Sequence, residues 1–459
     1  GRLMNSKKLS ISEVFALSIA AVAPSGAMAF NTTTAATFAG INIPISFILG
    51  SLAMLLVGFC FVQMSSRISS EGSVYAYNSA ALGEKWGFVS GWALALTYLC
   101  FSGGTAGLTA DFGNVFLQHF GISLPIPVLA IFFILLVWFI SFFGLKLTSR
   151  VALAMELVSI LILIFLSTLI IVKGGRSGIN AAPFVPTGNA TGIGQGMIFA
   201  ILCFAGFEGS SAFAVQAKKP KKAVPFAILA TVIGAAIFYV YVSYAQVIGF
   251  GESNIKELAT SSAPLDTLAT MYSGNVMATI IDFATLMSCF AALLGALNAC
   301  AYIIFALSNE GYLPKYLTNF STKLNSPKNA VHTVSIICLI LYVLIGLPFG
   351  PEQLYSNLAT IGTLSLLIVY MLVCWGTLKY FKNKENGEFS IVKHVVIPIL
   401  GIIVLAFPLW SNLYPIPSFP LNLYPYFVVL WLAGGYFMAY RREKKLKENP
   451  EPVSKATAN

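Results

Sequence analysis

Charge is scarce in this chain: only 10% of its 459 residues are Asp, Glu, Lys or Arg. Soluble domains carry about 25% charged residues, so a water-exposed globular fold is excluded. Histidine is scarcer still. His119, His332 and His394 are scattered near the ends of apolar runs, with no metal or catalytic spacing. The seven cysteines all fall inside apolar runs and form no CxxC pair. That favours small buried apolar residues over a disulfide framework or a cysteine metal site. No nucleophile–base pair or metal constellation is legible, so the sequence offers no enzyme class, no cofactor and no metal. Nothing resembling a channel filter or a signalling domain is present either.

What the chain has instead is apolar length. Hydrophobic residues make up 57% of it, and its mean hydropathy is +0.82. Runs of about 20 apolar residues, each long enough to cross a bilayer, recur along it. A membrane β-barrel would show short alternating segments, so the class is an all-α polytopic membrane protein. The first run follows Lys7 and Lys8 but is a full span without a small-residue cleavage site. It reads as a retained helix rather than a signal peptide.

The pattern predicts twelve spans, at about 12–36, 41–64, 86–118, 124–144, 149–173, 192–216, 223–248, 273–309, 330–347, 351–377, 391–412 and 421–441. The predicted organisation is a cytoplasmic segment 1–11, two five-helix blocks at 12–173 and 192–377, two peripheral helices at 391–441 and a cytoplasmic tail 442–459. With the N-terminus inside, 24 of the 27 Lys and Arg residues fall on the cytoplasmic side. Only Lys173, Arg176 and Lys256 fall outside, as the positive-inside rule expects. The net charge of +10 is therefore a topology signal for a lipid bilayer rather than a nucleic-acid footprint. The sequence carries no signal for oligomeric state.

Two stretches interrupt the apolar pattern. Span 1 holds Ala21-Val22-Ala23-Pro24-Ser25-Gly26-Ala27. Proline removes a backbone donor and clashes with the preceding turn. The simpler reading is a proline kink; the sharper one is a discontinuous helix. Span 6 holds Ala205-Gly206-Phe207-Glu208-Gly209, where small residues surround a carboxylate. Open backbone at membrane depth is tolerated only where it lines a cavity or is buried in protein. Interrupted helices at corresponding positions of two blocks point to an inverted-repeat transporter. Glu156 in span 5 and Asp282 in span 8 are further intramembrane carboxylates without a basic partner in any span. Each is either structural or a candidate proton carrier, because intramembrane ionisable residues mark functional sites.

Phe204 to Glu208, followed by Pro220 and Pro225, resembles the sixth-helix signature of the amino acid–polyamine–organocation superfamily. Glu71-Gly-Ser-Val-Tyr75 with Gly83 to Trp92 is similar to the start of that family's helix 3. Asn309-Glu-Gly-Tyr-Leu-Pro314 is similar to its helix 8 exit. Order and spacing agree from about residue 10 to 380. The resemblance implies a leucine-transporter-type five-plus-five inverted repeat with two additional helices. It also implies secondary transport of amino acids by alternating access, with no cofactor, in the plasma membrane. A polyamine or other organic cation is the alternative substrate.

The chain departs from the family at several positions. Pro24 replaces the first glycine of the usual Gly-Ser-Gly, Leu202 stands at the aromatic gate and Tyr302 replaces an arginine. Ser308-Asn309-Glu310-Gly311 replaces Ala-Arg-Asp-Gly. The helix 5 lysine that stands in for sodium in some members is Ser159 here. That leaves a carboxylate-borne proton, sodium or plain exchange as coupling.

The expected site follows. Ser25, Gly26 and Ala27 would present N–H groups and a positive helix end to the substrate carboxylate. Carbonyls near Ala21, Val22 and Ala23, and near Leu202, Cys203 and Ala205, would accept the ammonium, with Phe204 beside them. By the family's spacing, Phe101, Ser102 and Ala106 would line the side-chain pocket and favour a neutral side chain. Glu156, Ser159, Glu208 and Asp282 are the candidates for ion coupling or structural roles. Glu208 is expected to fix the helix 1–helix 6 contact, and Glu156 to be the proton carrier.

Overall fold

The computed structural model describes residues 8–68, 73–261 and 263–450. Glu71 and Gly72 of the helix 3 motif lie outside the described residues, as do most of the N-terminal segment 1–11 and the tail from 451. Among the described residues there is no β-strand, only two isolated bridges, Leu9–Ala217 and Ser321–Ser326.

The helices are α1 (Ile11–Val22), α2 (Pro24–Ala39), α3 (Ile43–Arg67), α4 (Val74–Leu82), α5 (Glu84–Gln118), α6 (Ile126–Phe142), α7 (Leu145–Val172) and α8 (Ala190–Leu202). After a 3-10 segment at Gly209–Gln216 come α9 (Pro220–Phe250), α10 (Ile255–Thr260), α11 (Pro264–Ser273), α12 (Asn275–Asn309), α13 (Lys328–Leu341), α14 (Pro351–Lys382), α15 (Ile397–Ser411) and α16 (Tyr424–Glu448). Among the described residues nine helical stretches are long and apolar enough to cross a membrane, the first being the whole of Ile11–Arg67. Ile126–Phe142 and Ala190–Leu202 are shorter apolar helices.

Two long helices form the centre. In α5 and α12 the most apolar windows are 89% buried, against 17% for α16. A central helix cannot be wrapped by lipid, and its neighbours must approach closely. Gly103 and Gly107 on α5 give the small-residue face that permits this. A Cβ on Gly107 would sit 3.1 Å from the Pro351 backbone at the start of α14. Around them the outer helices turn large apolar side chains outward, among them Phe132, Phe139, Leu161, Ile403 and Leu430. These form the face that lipid would cover.

Helix α16 runs to Glu448, well into the segment expected to be a tail from 442. Its basic end is made of good helix formers, it holds a Glu443–Lys447 pair at 3.2 Å, and no breaker occurs until Pro450.

Candidate functional site

The first helix breaks at Ala23, which takes the left-handed conformation with φ 48° and ψ 66°. Proline at the first position of α2 has no N–H to offer, so the helical ladder cannot cross the junction. The Ala23 N–H still bonds to the Ile19 carbonyl at 2.9 Å, and Ala27 N–H restarts the ladder on the Ala23 carbonyl at 3.0 Å. Ser25 and Gly26, the would-be partners of the Ala21 and Val22 carbonyls, turn elsewhere. Gly26 N–H donates to the Ser288 hydroxyl at 3.0 Å. Ser25 N–H faces the Glu156 carboxyl. The span 1 interruption is thus a true discontinuity, not a kink.

The second break runs from Cys203 to Glu208 as tight turns before the 3-10 segment. Gly206 has φ +95°, and a Cβ there would come 2.9 Å from the Ala21 carbonyl oxygen. Glycine is what lets the two broken elements touch. Ser18 holds α1 to this turn by donating to the Phe207 carbonyl at 2.7 Å, while its oxygen accepts the Ser210 N–H at 3.3 Å.

Between the breaks lies a cavity of about 330 Å³. Its wall includes Ala21, Val22, Ala23, Gly26, Ala27, Phe101, Leu202, Cys203 and Ala205. These are the expected residues that the fold brings together. Ser25, Ser102, Ala106 and Phe204 are not on that wall. Ser25 turns its backbone N–H toward Glu156, and among the described residues its buried hydroxyl has no hydrogen-bond partner. Ser102 accepts from the Cys338 thiol at 3.3 Å, Ala106 is fully packed, and Phe204 stacks edge-on against Tyr239. On α5 the lining stripe is Tyr98, Phe101, Thr105 and Leu108. Those positions share one helical face; Ser102 lies about 40° and Ala106 about 80° past its edge.

Residues outside the expected set complete the wall: Phe30 and Asn31 of α2, Phe199 of α8, Cys289, Ala292 and Ala296 of α12, and Tyr355, Ser356, Ala359, Thr360 and Thr363 of α14. The α12 and α14 sets recur at helical spacing, a signal present in the sequence but unreadable without knowing which face looks inward. Among the described residues no charged side chain lines the cavity. Two of the carbonyls expected to await an ammonium already accept a bond. The Leu202 carbonyl takes the Ala205 N–H at 3.0 Å, and the Cys203 carbonyl takes the Tyr239 hydroxyl at 2.5 Å. A carbonyl can accept twice, so the arrangement narrows their role without removing it.

Glu156 is fully buried beneath the α2 N-terminus. The Ser288 hydroxyl reaches its two oxygens at 3.0 and 3.3 Å, and Ser159 and the Ser25 N–H approach it as well. A continuous chain therefore runs from Gly26 on the cavity wall through Ser288 to Glu156. Ser288 had no distinguishing mark in the sequence.

Glu208 sits away from the cavity. It accepts from Tyr98 at 2.7 and 2.8 Å and from Tyr370 at 3.2 Å, while Tyr370 takes the Gly206 N–H at 3.3 Å. It ties the second break to α5 and α14. The expected link to helix 1 is made instead by Ser18. Asp282 is not without a basic partner: His119, just past α5, is 2.6 Å from it.

A profile of the amino acid permease family matches residues 9–434. The chain belongs to this family, within the amino acid–polyamine–organocation superfamily. The resemblance read from Phe204–Glu208, Gly83–Trp92 and Asn309–Pro314 is thereby borne out, and the permease is a multi-pass membrane protein. The branched-chain amino acid permease BcaP of Lactococcus lactis subsp. cremoris is 26% identical over 432 residues, 88% of this permease and 89% of that protein. The methylthioribose transporter of Bacillus subtilis is 25% identical over 462 residues, 96% of this chain and 95% of its own. Cationic amino acid transporter 4, vacuolar, of Arabidopsis thaliana is 24% identical over 397 residues, 82% of this chain and 63% of its own.

Proposed function

We propose that this permease carries neutral amino acids across the cell membrane by alternating access, as a proton symporter or exchanger. The observation that carries the reading is the uncharged cavity between two broken helices, bounded by the α2 N-terminus. A zwitterion can be held there by a helix end and by carbonyls, without a countercharge. A polyamine would need carboxylates on the wall, and none is there. The names of the relatives BcaP and cationic amino acid transporter 4 support an amino acid as substrate and a non-enzymatic role.

The same reading assigns a five-plus-five repeat of ten helices plus two, with both termini cytoplasmic. Support comes from breaks at Ala23 and Gly206 in the first helix of each block. The 35-residue helices α5 and α12 recur as the third helix of each block.

Coupling follows from the position of Glu156. Its carboxyl and the substrate carboxylate both face the positive end of α2. Two anions at one helix end repel, so substrate binds best when Glu156 carries a proton. By reciprocity, the substrate favours the proton. Glu156→Gln therefore keeps amino acid exchange in proteoliposomes but loses uptake driven by an inward proton gradient. Gradient-driven uptake that survives in the variant removes Glu156 as carrier, and a response of the unmodified protein to sodium alone removes proton coupling. A thermal-shift screen against neutral amino acids and polyamines tests the substrate class, since a ligand of the folded state raises the melting temperature.

A further inference from the structure

We propose that His119, Asp266 and Asp282 form a binding site for one first-row divalent cation of the zinc type, at the end of the bundle away from Leu9. The three residues come from three elements. His119 caps the C-terminus of α5, Asp266 lies in the first turn of α11, and Asp282 lies two turns into α12. Nε2 of His119 is 2.6 Å from Asp282 Oδ2 and 3.9 Å from Asp266 Oδ2. One ligand atom from each residue lies within 4.8 Å of the other two. The Asp282 side chain is 5% exposed, that of His119 17% and that of Asp266 33%, so the cluster is sheltered with one open side.

Charge supplies the second argument. Two carboxylates are held together, that of Asp282 almost out of contact with water and that of Asp266 at the open side. Among the described residues His119 is the only basic side chain paired with either of them. A single imidazole supplies at most one positive charge, so the second carboxylate is balanced either by a shared proton or by a cation. A divalent cation balances both carboxylates and leaves the imidazole neutral, as a metal ligand must be.

The donor set selects the ion. One imidazole and two carboxylates make three protein ligands with a fourth position open, the ligand count of open zinc sites. Calcium asks for six or more oxygens and magnesium for an octahedral oxygen shell, which this cluster does not supply. With metal–ligand bonds of about 2.1 Å, tetrahedral ligands lie about 3.4 Å apart. The shorter contact has to open by less than about 1 Å and the longer one to close by about half that. The ten-residue α11, joined to α12 at Gly274, can make such an adjustment.

Bound metal would join α11 to the two central helices. The preceding helix α10 belongs to the same connecting segment and packs on α2, the helix whose N-terminus faces the cavity. Fixing this segment restrains the outer side of the cavity. That consequence for transport rests on the alternating-access reading above; the binding itself does not.

The test uses the full chain, purified and stripped with a chelator, then titrated with Zn²⁺ by calorimetry and metal analysis. The expected result is one Zn²⁺ per chain, with affinity reduced tenfold or more in both His119→Ala and Asp266→Asn. Asp266 is partly exposed, so Asp266→Asn guards against a folding defect in the histidine variant. No bound Zn²⁺, or equal affinity in all three proteins, overturns the site and leaves a shared proton only. In proteoliposomes, external Zn²⁺ slows uptake by the unmodified protein and not by His119→Ala. Stoichiometric binding with undiminished uptake overturns the restraint on transport while the site stands.

Discussion

Glu208 offers the sharpest test of how the second break is held. Its carboxyl accepts from Tyr98 at 2.7 and 2.8 Å and from Tyr370 at 3.2 Å. Both phenols are fully buried. In Glu208→Ala each hydroxyl loses its acceptor, at about 1–3 kcal/mol apiece, so destabilisation of roughly 2–6 kcal/mol is expected. Glu208→Gln keeps one carbonyl acceptor and should fall near the lower end. Tyr98→Phe removes one donor and leaves the carboxyl to Tyr370 alone. In the double variant the lost donor has no lost acceptor to miss. Its cost should therefore fall short of the sum of the single costs by about 1–2 kcal/mol. The assay is unfolding of the detergent-solubilised protein across this cycle, each variant with and without a saturating neutral amino acid. Additive costs would refute the tie. Unchanged stability in Glu208→Ala together with a lost substrate-dependent shift would make Glu208 a substrate ligand and favour the organic-cation reading.

Other perturbations separate backbone from side-chain roles. Gly206→Ala meets a left-handed φ costing about 1–2 kcal/mol and a backbone contact at 2.9 Å from the Ala21 carbonyl. The unfolding midpoint of the detergent-solubilised variant should therefore fall by an amount matching that cost or more, while membrane insertion persists. Gly26→Ala places a Cβ 3.4 Å from the Ser288 hydroxyl, an ordinary contact, so ligand binding should survive. Gly26→Val adds branches toward Ser288 and Phe30 and should abolish the ligand-induced thermal shift; equal affinity in both variants would put the substrate elsewhere. Thr105→Phe narrows the cavity and should turn preference toward smaller amino acids. An overpacking penalty of roughly 1–3 kcal/mol makes that about fivefold or more in relative affinity, read by competition uptake. Ala106→Phe should instead lower stability for all substrates alike, because Ala106 is packed away from the cavity.

Much of this permease was legible as a line of letters. Apolar run length gives the class, because runs of about 20 apolar residues satisfy their backbone in lipid only as helices, the alternative closed barrel needing short alternating strands. Pro24 in one span and the glycines around Glu208 in another announce the breaks, since each removes or weakens ladder bonds locally. Ala21–Ala23, Gly26, Ala27, Leu202, Cys203 and Ala205 could be named for the same reason: what a break exposes is its own backbone. Side-chain lining was harder. On α5 the expected face was turned by about 40–80° from the one that looks inward, so Phe101 lines the cavity and Ser102 and Ala106 do not.

Partnerships across the chain were decided by tertiary structure alone. Ser288 meets Gly26 across 262 positions and Glu156 across 132. His119 meets Asp282 across 163. No local spacing encodes such pairs, because their distance depends on how α5, α7 and α12 pack, not on the pitch of any one helix. The sequence by itself determined the helices, their breaks and the family. Packing decided which carboxylate sits beneath a helix end, which ties two phenols and which meets a histidine, because each role is set by groups that only the assembled bundle brings within bonding distance.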